Sequence, residues 1–90
     1  MVQTMNVPIQ MISCCSTLGD FTPMKFRFEN EVHEILTVVI ADILGRKEIG
    51  LSGNKEIHFT CTAEIERQTK MFILVYNINS HRWKLFQMLT

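Results

Sequence analysis

Cysteine, histidine and glycine are the residues whose chemistry depends most on spacing, and the chain holds three, three and four of them. His58 and Cys61 lie three apart, a separation that zinc ligands often use. On a strand, however, an odd separation sends two side chains to opposite faces, so this pair cannot share one ion. Adjacent Cys14 and Cys15 fail in the same way. No C-x-x-C pair is present, and Glu31 with His33 supplies two ligands where a structural zinc site needs four. We read no metal site and no cofactor from these residues.

Covalent catalysis needs a thiol or hydroxyl beside an oriented base. Serines, cysteines and histidines are all available, but no G-x-S-x-G elbow places them. Gly45, Gly50 and Gly53 lie near Lys47 and Lys55, yet neither G-x-x-x-x-G-K-[ST] nor G-x-G-x-x-G occurs. These glycines read as turn positions. The sequence assigns no catalytic residue, and the chain is expected not to be an enzyme.

Charge is the more informative pattern. The ninety residues carry nine bases and nine acids, so the net charge is zero and the strong basic field of a dedicated DNA binder is missing. The charges are unevenly placed: residues 29–66 carry a net −5, whereas residues 67–90 hold Arg67, Lys70, Arg82 and Lys84 with no acid. Arg82, Lys84, Phe86 and Met88 share one strand parity, which makes them the candidate interaction surface. A basic and apolar stripe of this kind suits contact with a protein, or with a second copy that offers the acidic middle of the chain. The alternative partner is single-stranded nucleic acid, its backbone tracked by Arg82 and Lys84 and a base stacked on Phe86.

The first basic residue is Lys25, and Pro8 and Gln10 interrupt the early apolar run, so the start lacks the features of a secretory signal. Met11-Ile12-Ser13-Cys14 resembles a lipoprotein box only faintly and is rejected on the same ground. The longest apolar stretch, Ile35 to Leu44, is far short of the ~20 residues of a bilayer span. An odd number of thiols also suits a reducing compartment. The expectation is a cytoplasmic protein without a membrane segment.

These side chains must be positioned by strands. Ile and Val together number sixteen and Thr eight, against two Ala, and branching at Cβ favours a pleated surface over a helix. Pro8 to Ser16 is a first strand. Met24, Phe26 and Phe28 then alternate with Lys25, Arg27 and Glu29. Ile57, Phe59, Cys61, Ala63 and Ile65 alternate with polar neighbours, the cleanest period of two in the chain. Lys70 to Ile78 is apolar on both parities and reads as a central strand, and Arg82 to Leu89 is the last, with Trp83 and Leu85 inward. One segment conflicts. Val32, Ile35, Leu36, Val39, Ile40, Ile43 and Leu44 fall at helical spacing between Asn30 and Gly45, while Thr37-Val38-Val39-Ile40 favours a strand.

The order of the motifs resembles a set of small uncharacterised bacterial all-β proteins. It runs from Pro23 and Phe26-Arg27-Phe28, through Val38-Val39-Ile40 and Gly53-Asn54, to Phe59-Thr60-Cys61, Phe72-Ile73-Leu74-Val75-Tyr76 and Trp83-Lys84-Leu85. The resemblance covers the chain from Val7 onward, makes Met5 a second candidate start, and implies a strand around Val39. It implies no activity. The resulting expectation is all-β: one domain over residues 1–90, residues 1–6 a flexible segment, and about six antiparallel strands in a closed or nearly closed SH3-like barrel. The alternative is α+β with one helix at about 31–44. The function expected is a non-enzymatic binding module.

Overall fold

Each strand of the molecule pairs with its neighbours in sequence, and the last pairs with the first. The computed structural model describes residues 3–50 and 53–90. In chain order the strands are β1 (Gln3–Cys15), β2 (Phe21–Glu29), β3 (Ile35–Ile49), β4 (Glu56–Ile65), β5 (Gln68–Asn77) and β6 (Arg82–Met88). All the pairs are antiparallel, and the β1–β6 ladder closes them into a barrel. No helix forms among the described residues, so the α+β alternative is set aside. Of the N-terminal segment, Gln3 and Thr4 lie in β1, opposite Met88 and Gln87, while residues 1 and 2 fall outside the described residues.

Turn chemistry explains the short connections. Ser16 Oγ accepts from the backbone N–H groups of Leu18 and Asp20, beside Gly19 at φ +89°. Asn30 Oδ1 accepts from Val32 and Glu34 N–H between β2 and β3, and Asn77 Oδ1 accepts from Asn79 and Ser80 N–H between β5 and β6. The β4–β5 link is a two-residue hairpin with Glu66 at φ +51° and Arg67 at φ +67°. Positive φ at both positions matches the right-handed twist of the flanking strands.

β1 and β3 are the corners of the barrel. Residues 3–9 of β1 pair with β6 and residues 10–15 with β2; residues 35–39 of β3 pair with β2 and residues 40–49 with β4. Strands that change partners must bend, and bulges supply the bend. Register shifts occur in β1 between Thr4 and Val7 and between Ile12 and Ser13, and twice in β3, between Ile40 and Asp42 and between Ile43 and Gly45.

The core lies under the β4–β5–β6 wall. Phe26, Phe59, Phe72, Leu74 and Leu85 are fully buried, with Phe26 and Phe72 edge to face at 5.6 Å. Cys61 faces inward at 0% exposure while His58 faces outward, so the two stand on opposite sides of β4 as the odd separation requires. Trp83 packs against this core. Met24 departs from the expected alternation: the β1–β2 shift leaves it without a ladder partner and exposed, and Pro23 is buried instead.

Candidate functional site

The stripe expected on the last strand is only partly assembled. Lys84 lies across from Val75 on the outer surface, and Arg82 across from Asn77. A register shift between Ile73 and Leu74 then leaves Phe86 unpaired and turns Met88 inward, opposite Phe72 and against the core. Met88 therefore does not belong to an outer row with Arg82, Lys84 and Phe86. Nor does β6 offer an open edge, because β5 and β1 hydrogen-bond to its two sides.

Phe86 is also engaged. Lys84 Nζ sits 5.3 Å from its ring centroid, and the His58 ring meets it edge-on at 5.7 Å. His58 Nε2 lies 3.3 Å from Glu56 Oε1. Val75, in the same outward row, is only 1% exposed. This patch is a covered outer cluster rather than a free aromatic platform.

The two ends of the barrel differ. One is plugged by aromatics: Tyr76 lies 4.9 Å from Trp83 and 5.5 Å from Phe21, Trp83 stacks on Phe59 at 5.5 Å, and the Tyr76 hydroxyl is 2.9 Å from His81 Nδ1. The other is a mouth of about 790 Å³. Its floor includes Phe28, Leu36, Ile65, Leu85 and Met88, and its rim carries Glu29, Glu31, Glu66 and Lys70. Glu29 Oε1 is 2.8 Å from His33 Nδ1 at this rim. No nucleophile beside a base lines the mouth, and among the described residues no group of three or more His, Cys, Asp or Glu side chains could hold a metal ion.

A third feature was not foreseen. Past the corners, β2 and β3 diverge: their ladder ends at Lys25 and Val39, so residues 21–24 of β2 pair only with β1, and residues 40–49 of β3 only with β4. Large apolar side chains stand exposed here. Ile12 and Val39 flank Lys25 in one outward row, and Met24 and Leu44 project from bulges. The sequence signal was the helix-like spacing from Val32 to Leu44, which records one turn residue, Val32, followed by apolar residues on both faces of a bent strand. The class these observations define is a closed six-stranded antiparallel barrel with one open mouth and one unpartnered corner. Compared with protein-family models, curated proteins and solved structures, the chain finds no match.

Proposed function

We propose that the protein is a non-enzymatic binding module that acts in the cytoplasm by contact with another macromolecule, a protein or a second copy of itself. The observation that carries this reading is the corner surface. Val39 is 65% exposed, Ile12 59% and Leu44 57%, and soluble monomers rarely leave large apolar side chains exposed in this way without a partner. Three free thiols suit a reducing compartment. Kinship with small bacterial all-β proteins, and an SH3-like reading of the barrel, belong to the same proposal and add no activity to it. Sedimentation with pull-down tests it: a strict monomer that recovers no partner removes it.

A second reading rests on the mouth, whose volume falls within the range of small-molecule sites, and barrel mouths are common places for them. An apolar floor beneath three carboxylates and one lysine suits an apolar body carrying a cation. Titration with alkylamines of increasing chain length tests it, and affinity that does not grow with chain length counts against it. Single-stranded nucleic acid is less well supported, because both Lys84 and His58 already occupy Phe86. Binding to oligonucleotides that fell steeply with salt would reinstate it.

A further inference from the structure

The unpartnered side of β3 has a sequence that is complementary to itself. From Asp42 to Ile49 the strand is hydrogen-bonded to β4 on one side and to no strand on the other among the described residues. Such an edge is a template for another strand. Its partner on the bonded side fixes which way each residue points. Asp42 and Lys47 lie opposite Thr62 and His58, on the outer face, whereas Ile43 and Arg46 lie opposite the buried Cys61 and Phe59.

An antiparallel pair must match face to face, because directly opposed residues share one side of the sheet. If a second β3 is laid antiparallel with the two-fold axis between Leu44 and Gly45, Asp42 meets Lys47 on the outer face and Ile43 meets Arg46 on the inner one. Symmetry makes each contact twice. Leu44, unpaired by the bulge, then lies over the partner's Gly45, where the open space beside the backbone is free of other atoms within 4 Å. Registers centred on Arg46 or Lys47 would set like charges against each other. The charges of this edge thus favour the register that joins Asp42 to Lys47 over the one that sets Arg46 against its own copy.

We propose that β3 pairs with β3 of a second copy in this register, joining two barrels through a continuous sheet. The proposal rests on the binding-module reading and specifies its partner. Asp42 and Lys47 are both exposed and lie outside the core, so reversing either charge leaves the barrel folded, as circular dichroism and thermal melting would verify. Sedimentation equilibrium should show a dimer whose dissociation constant rises with salt. Asp42→Lys and Lys47→Asp should each weaken it roughly a hundredfold, since two attractive contacts become repulsive, and the double variant Asp42→Lys/Lys47→Asp should restore it. A monomer at millimolar concentration overturns the proposal. So does a dimer that ignores both reversals, or one that the double variant fails to rescue; these last two results leave the binding-module reading standing with a different contact surface.

Discussion

Along β4 the buried positions alternate without a break: Ile57, Phe59, Cys61, Ala63 and Ile65 are inside, and the residues between them are not. Along β3, fifteen residues of similar composition, Val38 alone is buried. The difference comes from their neighbours. β4 pairs with β5 along its whole length without a register shift, so a single pleat holds its side chains in two sets. β3 changes from β2 to β4 midway and carries two bulges, and each bulge shifts its parity relative to the partner. One strand belongs to a wall and the other to a corner. Burial follows from continuous pairing as much as from hydrophobicity.

The sharpest way to break this contrast is to truncate one side chain in each region. Phe72 is fully buried between β4 and β6, and Phe72→Ala should cost about 3–5 kcal/mol in urea unfolding. Leu44→Ala, which removes an apolar side chain from an exposed bulge, should stay within about 0.5 kcal/mol for the monomer. Equal losses would mean that the corner is packed after all.

Glycine gives a second comparison, with both positions on or beside β3. Gly50 has φ +117°, and a Cβ there would collide with the Asn54 carbonyl oxygen. Gly45 has ordinary strand geometry and nothing within 4 Å. Gly50→Ala should cost about 2 kcal/mol or more, from backbone strain and collision together, whereas Gly45→Ala should leave the melting temperature nearly unchanged. The β4–β5 hairpin offers the opposite sign. Arg67 holds φ +67° with a side chain that makes that region unfavourable, so Arg67→Gly should raise stability by about 1 kcal/mol.

Legibility in the sequence follows the same division. The wall was readable because Phe59, Cys61, Phe72, Leu74 and Leu85 obey a period of two, and the buried side of each could be counted from the next. The count fails wherever a ladder slips. Met24 and Met88 each follow such a shift, and parity assigned one to the core and the other to the surface when the structure has the reverse. A bulge depends on how two distant strands twist against each other, so no local pattern announces it. Ile35 to Leu44 shows the cost: a bent strand with apolar residues on both faces imitates a helix, and the corner surface was hidden in that ambiguity. The mouth was equally invisible, since Glu29, Glu66 and Met88 meet only when the barrel closes.

The three cysteines carry the wall-and-corner comparison to its smallest effect. Cys14 and Cys15 are exposed near the end of β1, whereas Cys61 is buried in β4, where loss of water around the thiol pushes its pKa up to about 12 from 9.0. Well below pH 9 the Cys61 thiol keeps its proton in both folded and unfolded chains, and no stability depends on it. Between pH 9 and 12 the unfolded thiol ionises while the folded one does not, so stability falls as pH rises. From pH 8 to 9.5 the loss should be about 0.8 kcal/mol, and it should disappear from the pH profile of Cys61→Ala. Thiol labelling at pH 8 should accordingly modify two cysteines quickly and the third only on unfolding. Prompt reaction of all three, with no slope to remove, would show that the wall opens as readily as the corner.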